Sequence, residues 1–310
     1  MLMCTLTNLK RALNGEGDWV KELISRCAQF VLRLLWKKFL YKVIFRSHEH
    51  QGQYYRNQFG SIISPLEFRI AWDPSLSERV ITLNNLISPS NERTKFLNLI
   101  RVGSVGDGGY YLPETYRNCD GAISGGISNN NDFENELALS DIPVIQFDHT
   151  INEAPNKNKN LYFKKVKLGN NGFSLRETLS AFKELTGVEL RNGILKLDIE
   201  GSEFDFLANS SVETLSNFDI IVLELHFLGE IYKDIFWKNV KDALILIRQN
   251  HKPIFATGNN SRPYVQIGGL AICDILEITF IRNSAPVPNY DKNMNVTAQV
   301  EGRAPLIVYF

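Results

Sequence analysis

The sequence predicts an α/β fold, a doubly wound and mostly parallel sheet covered by helices on both faces. Three observations predict it. Short β-branched or apolar runs alternate with helix-periodic segments over residues 119–282. A glycine turn, Ser124-Gly125-Gly126, stands between the first of those runs and a helix. Polar residues end five successive runs: Ser124 to Gly126, Asp148, Asp198 with Glu200, Glu224 with His226, and Asn259 with Asn260. In an open α/β sheet such ends meet in one crevice, so together they say more than any one of them.

Taken in order, Ser75 and Glu78 have capping-box spacing, so a helix is expected to open at Asp73-Pro74-Ser75 and carry Val80, Ile81, Leu83 and Leu86. A second short helix is expected over Asn91–Ile100. Arg101 to Leu112 combines strand residues with the turn Asp107-Gly108-Gly109 and reads as a hairpin leading into the core sheet. Ala122-Ile123-Ser124 is the first sheet strand, Asp132 the expected N-cap of a helix through Phe133, Leu137 and Leu139, and Val144–Phe147 the next strand. Asn152–Asn160 is polar and reads as an exposed loop, after which Leu161–Phe163 and Val166–Leu168 carry a strand. Ser174 and Glu177 form another capping box, opening a helix with Leu175, Leu179, Phe182 and Leu185 on one face. Gly193 to Asp198 and Asn217 to His226 are further strands with acidic ends, and Ile231–Gln249 is a long helix. Pro253–Ala256 is a strand before the polar turn Thr257-Gly258-Asn259-Asn260, and Ile275–Ile281 is a last β-rich run. Leu306–Tyr309 is the one apolar run in the tail.

Bulk composition narrows the function. The 310 residues suit one large domain with additions, divided here into an N-terminal extension and connector, 1–73, and a main domain, 74–310. With 34 basic and 34 acidic residues, no global field recruits nucleic acid. Cys4, Cys27, Cys119 and Cys273 lie far apart with no CxxC pair, which argues against a zinc site or disulfide framework and makes the cytoplasm the default setting. The most lopsided stretch is 19–46, where Lys21, Arg26, Arg33, Lys37, Lys38, Lys42 and Arg46 face only Glu22. Its apolar runs are too interrupted to span a bilayer or to resemble a secretory signal. Two readings stay open: a helix packed on its own domain or on a second copy in a homodimer, and a helix lying on the inner face of an anionic membrane with Trp36, Phe39 and Phe45 as anchors.

The glycine turn lacks the three-glycine spacing of a dinucleotide fingerprint, and Asp132 and Glu134 put carboxylates where a pyrophosphate needs a positive helix start. Carboxylates there suit a cofactor with a cationic end, and S-adenosylmethionine fits better than NAD. A nicotinamide-linked oxidoreductase and a non-catalytic membrane-attached binding module are the competing readings.

Leu195-Lys-Leu-Asp-Ile-Glu-Gly-Ser-Glu-Phe-Asp-Phe-Leu207 resembles the signature segment of the FkbM-type S-adenosylmethionine-dependent methyltransferases. The resemblance extends to Arg101–Tyr110, to Gly125-Gly126 with Phe133-Glu134, to Val222–His226, and to Gly258–Asn260 with Leu276–Phe280. It covers residues 95–282 in matching order, while Ser124 and Ser128-Asn129-Asn130 depart from the commoner wording around the glycines. It implies a class I methyltransferase (Rossmann-like) fold of seven strands, the last inserted antiparallel. It also implies that Gly125 and Gly126 approach the methionine portion of the cofactor, Asp148 the ribose, and Asp198 the methyl-transfer site, with Glu134 nearby; Ser124, beside the glycines, is a further cofactor-binding candidate. The expected reaction is O-methylation of a small-molecule or glycan acceptor: a sugar, glycolipid or secondary metabolite. By intrinsic pKa His226 is the best general base. Asp198, Glu200 and Glu224 could instead hold a divalent cation such as Mg2+ that activates the acceptor hydroxyl.

Overall fold

A computed structural model describes residues 70–71, 73–89, 98–262 and 264–285 of the chain. The basic stretch 19–46, the expected helix residues 91–97 and the apolar run Leu306–Tyr309 lie outside the described residues. The elements are α1 (Pro74–Ile87), β1 (Leu99–Gly103), β2 (Gly109–Pro113), β3 (Gly121–Gly125), α2 (Asp132–Leu139), β4 (Val144–Phe147), β5 (Leu161–Lys164), α3 (Leu175–Thr186) and β6 (Gly193–Leu197). They continue with α4 (Glu203–Ala208), α5 (Val212–Leu215), β7 (Phe218–Leu225), α6 (Asp234–Arg248), β8 (His251–Gly258), β9 (Tyr264–Ile267), β10 (Leu270–Cys273) and β11 (Leu276–Arg282).

Seven strands form one sheet in the order β5-β4-β3-β6-β7-β11-β8. β3 pairs in parallel with both β4 and β6, and β11 runs antiparallel between β7 and β8. The fold is therefore α/β with a mostly parallel, Rossmann-like sheet. Strand order reverses between β3 and β6, so the loops leaving these two strands diverge and open a crevice at their carboxyl ends.

The strands read as continuous apolar runs because they are buried on both faces. Side chains alternate between two cores with the period of a strand. Ile123, Ile145, Leu195, Ile221 and Leu223 face one core with α1, α3 and α6. Ala122, Val144, Ile194 and Val222 face the other with α2 and the β1–β2 hairpin. Phe182 of α3 is fully buried, and it sits where a Cβ on Gly121 would lie 2.2 Å from its Cζ, so the glycine makes room for the ring. Ser174 caps α3 with both bonds of the expected capping box.

Several local expectations give way to tertiary structure. The N-cap of α1 is Asp73, whose side chain accepts from Ser75 N; a carboxylate one residue before Pro74 wins over the Ser75–Glu78 box. Asn131, not Asp132, is the N-cap residue of α2, and its side chain is spent on Gln146 and Asn156. Leu99 and Ile100 are strand rather than helix, because they pair with Pro113 and Leu112. The hairpin forms, but as a separate two-stranded sheet laid over the second core, tied to the main sheet where Thr279 Oγ1 donates to Tyr111 O. Val166–Leu168 is not part of β5; Leu168 makes only an isolated bridge to Phe173. The long helix starts at Asp234, not Ile231, after a 3-10 turn over Leu228–Tyr232. Arg79 Nη1 takes the Ile231 and Tyr232 carbonyls that a continuous helix would use. Thr257 and Gly258 belong to β8 rather than to a turn, and the β9–β10 hairpin was not expected. Its sequence cue is Gly268-Gly269, both at positive φ, the two-residue loop that hairpins favour.

Phe182→Ala is expected to lower unfolding free energy by about 3–5 kcal/mol, read from urea denaturation; a loss below about 1 kcal/mol would mean that α3 does not anchor β3 as described.

Candidate functional site

A cavity of about 330 Å3 opens at the point where strand order reverses. Its wall combines the loop after β3 (Gly126 to Asn130), the start of α2 (Phe133, Glu134), the end of β4 (Phe147 to Thr150) and the end of β6 (Lys196, Asp198 to Glu200). Val166 to Leu168 and the hairpin turn residues Asp107 and Gly108 close it.

Gly126 is the junction of this wall. It has φ +77°, and a Cβ there would fall 1.6 Å from the Asp198 carbonyl oxygen. Only a glycine fits both the conformation and the contact. Gly126 N donates to Phe147 O at 2.9 Å and Asp198 N donates to Gly125 O at 3.0 Å, so three strand ends are fastened together here. Asp148 completes the clamp. Its Oδ2 accepts from Ile127 N at 3.0 Å and Ser128 N at 2.8 Å, and its Oδ1 accepts from Thr150 N at 2.7 Å and Thr150 Oγ1 at 2.6 Å. Burial pushes its pKa up, but the bonds from Thr150, Ser128 and Ile127 outweigh burial and hold it below the ordinary value.

Behind the wall runs a buried polar network. Lys196 donates to Gly126 O and lies 3.4 Å from Asp198 Oδ2 and 3.9 Å from Glu134 Oε1. Burial lowers the lysine's pKa, yet Asp198 and Glu134 raise it more, and it stays charged. Glu134 accepts from Ser124 Oγ; burial raises its pKa against the opposing effects of Lys196 and that bond. Tyr110 Oη donates to Asp198 Oδ2 at 3.1 Å and reaches Glu224 Oε2 at 3.3 Å. Asn259 Nδ2 donates to Glu224 Oε1 at 2.8 Å. Burial, then Asp198 and Glu277, push the Glu224 pKa well above the ordinary carboxylate value.

His226 is 3% exposed, with Nδ1 3.0 Å from Glu203 Oε1. Glu203 Oε1 also accepts from Ile199 N at 2.8 Å and Gly201 N at 3.2 Å, so the loop after β6 fixes the imidazole. His226 Nε2 lies 3.9 Å from Asp198 Oδ1, 3.6 Å from Glu200 Oε2 and 3.7 Å from Glu224 Oε1. Burial lowers its pKa, but Glu203, Asp198 and Glu200 together raise it above the ordinary imidazole value.

Of the residues singled out in the sequence, Gly126, Glu134, Asp148, Asp198 and Glu200 share the cavity wall, whereas Ser124, Gly125, Glu224 and His226 do not. A Cβ on Gly125 would meet Leu168, Ile199 and Leu197, so this glycine serves packing below the wall. Ser124 is buried against Glu134. Glu224 and His226 join the site through Asp198, which belongs to both the wall and the cluster. Sequence reasoning missed three members: Lys196, Tyr110 and Glu203. Lys196 had a visible cue, a lone cation inside the apolar strand Ile194-Leu195-Lys196-Leu197. Among the described residues, no helix is long and apolar enough to cross a membrane. Comparison of the sequence with protein families and with characterised proteins finds no match.

A raised Glu224 pKa means that the folded state binds the proton more tightly than the unfolded chain. Its stabilisation is full below the unfolded value of about 4.3 and is lost as pH rises through the raised folded value. Glu224→Gln removes that loss, and in chelator-treated buffer at pH 7 it is expected to raise Tm by roughly 2–4 °C and to flatten the fall in Tm from pH 5 to 8. A lower Tm at pH 7 would show that Glu224 is compensated in the folded state.

Proposed function

We propose that this chain is an S-adenosylmethionine-dependent methyltransferase that methylates a hydroxyl of a small-molecule or glycan acceptor: a sugar, glycolipid or secondary metabolite. The observation that carries the reading is the meeting of Gly126, Glu134, Asp148 and Asp198, drawn from the ends of β3, β4 and β6 and the start of α2, on one cavity. The resemblance of Leu195–Leu207 to the FkbM signature supports it. So does the order of the sheet, with its last strand inserted antiparallel between the two before it, as that resemblance implies.

The residues suit the cofactor. The cavity, about 330 Å3, lies at the lower end of the range for small-molecule sites, about 300–1,000 Å3. The positively φ-constrained Gly126 leaves backbone rather than side chain at the wall. Glu134, Asp148, Asp198 and Glu200 give the wall an acidic character suited to sulfonium and ammonium groups. Asp148 Oδ2 is committed to the Ile127 and Ser128 N–H groups, so ribose contacts fall to Oδ1 in exchange for Thr150. When bound, the cofactor supplies a methyl group activated by sulfonium, which leaves alignment of the acceptor and removal of its proton to the protein. Lys196 holds the Gly126 carbonyl and so keeps the glycine loop in its open shape. Loss of the acceptor's proton falls to the cluster of Asp198, Glu224 and His226 that adjoins the wall. The basic stretch 19–46 supports peripheral membrane contact, which would set the enzyme beside a lipid-linked acceptor.

Isothermal calorimetry with S-adenosylhomocysteine is expected to give saturable one-to-one binding that Gly126→Ala weakens at least tenfold, its fold checked by circular dichroism. Absence of saturable binding to the unaltered protein would overturn the reading.

A further inference from the structure

We infer that Asp198, Glu224 and His226 form a divalent-cation site of the Mn2+ class, with His226 as a ligand in place of the more exposed Glu200. One atom from each lies within 4.8 Å of the others: a carboxylate oxygen of Asp198, a carboxylate oxygen of Glu224 and an imidazole nitrogen.

The second observation is the placement of the imidazole. Glu203 Oε1 accepts two backbone N–H bonds besides facing His226 Nδ1. Glu203 thereby holds the Nδ1 edge of the ring and turns the opposite edge to the cluster. Nε2, a nitrogen of a side chain only 4% exposed, has no hydrogen bond of its own among the described residues. It faces Asp198, Glu200 and Glu224 oxygens at 3.6–3.9 Å. Lys196, the nearest buried cation, is engaged on the other carboxylate oxygen, Asp198 Oδ2. Among the described residues Asp198 Oδ1 accepts no hydrogen bond, so it and Nε2 both turn toward one point.

Spacing and surroundings agree. Ligand bonds of about 2.1 Å at the right angles of an octahedral ion put donor atoms roughly 3.0 Å apart, so the 3.7 and 3.9 Å from Nε2 close by under about 1 Å, and the two carboxylate oxygens, within 4.8 Å of each other, draw in by side-chain rotation. Two of the ligands are held through their far atoms, as metal ligands commonly are: His226 Nδ1 by Glu203 and Asp198 Oδ2 by Tyr110; Glu224 Oε1 is oriented by Asn259. Two oxygens with one imidazole nitrogen favour a first-row ion over Mg2+, which prefers oxygen alone. The route in is through Asp198, which also lines the cavity. A ligated His226 cannot serve as the base, so the cation takes over the task of acidifying a hydroxyl at this place. The inference concerns cation binding and stands apart from the identity of the cavity's ligand.

The test is titration of full-length, chelator-stripped protein with Mn2+ alone, without S-adenosylmethionine, following free Mn2+ by electron paramagnetic resonance. One equivalent is expected to bind, at least tenfold more weakly in Asp198→Asn, Glu224→Gln and His226→Gln and unchanged in Glu153→Gln, a distant exposed control. Electron spin-echo modulation of the Mn2+-loaded unaltered protein, which needs no variant to fold, is expected to show coupling to an imidazole nitrogen. No saturable binding, binding that all three variants retain, or a spectrum without nitrogen coupling would overturn the assignment.

Discussion

The structure depends most on one close approach of two backbones, that of Gly126 to the carbonyl of Asp198. β3 and β6 are neighbours in the sheet, yet the chain leaves them in different directions, and the two departing loops touch with no room for a side chain between them. Around that contact the other restraints are arranged. Lys196 holds the Gly126 carbonyl from below, and Asp148 holds the next two amides from the end of β4. The loop after β3 keeps its shape because its main chain is pinned by buried charge, and buried hydrogen bonds to charged groups are among the stronger ones available.

The same region concentrates acid. Glu134, Glu203 and Glu224 are buried, with Asp198 beside them and Lys196 as the nearby buried lysine. Glu134 and Glu224 are both pushed toward their protonated forms by burial. A chain selected only for stability would replace such a cluster with apolar residues of similar volume. Its persistence between two well-packed apolar cores is the kind of local expense that a functional site imposes on a fold.

Much of the architecture was legible in the sequence because it rests on period and punctuation. The apolar runs at Val144, Gly193 and Phe218 are strands because both faces of the sheet are covered, and their polar ends converge because parallel strands point the same way. Ser174 with Glu177 announced its helix, since that cap is local. Ser75 with Glu78 carried the same letters and failed, because Asp73 competes for the same amide. The hairpin's separation from the main sheet was not legible, since pairing between distant strands leaves no local pattern. Nor was the division of labour within the site. Gly125 and Gly126 are adjacent and alike in sequence, yet a Cβ on one would meet Leu168 and on the other the Asp198 carbonyl at the cavity wall. Glu200 and Glu203 differ in use because the tight turn between them, with Glu200 and Gly201 at positive φ, sends one outward and the other under His226.

The proposed ligand site is the crevice between the ends of β3 and β6. Hydrogen–deuterium exchange of the full chain with and without S-adenosylhomocysteine tests this directly, because the loops after both strands line the cavity. Ligand-dependent slowing is expected at amides 126–130 and 198–202 together, the two loops that Gly126 and Asp198 join. Slowing confined to other segments, or none in either loop at saturating ligand, would contradict it.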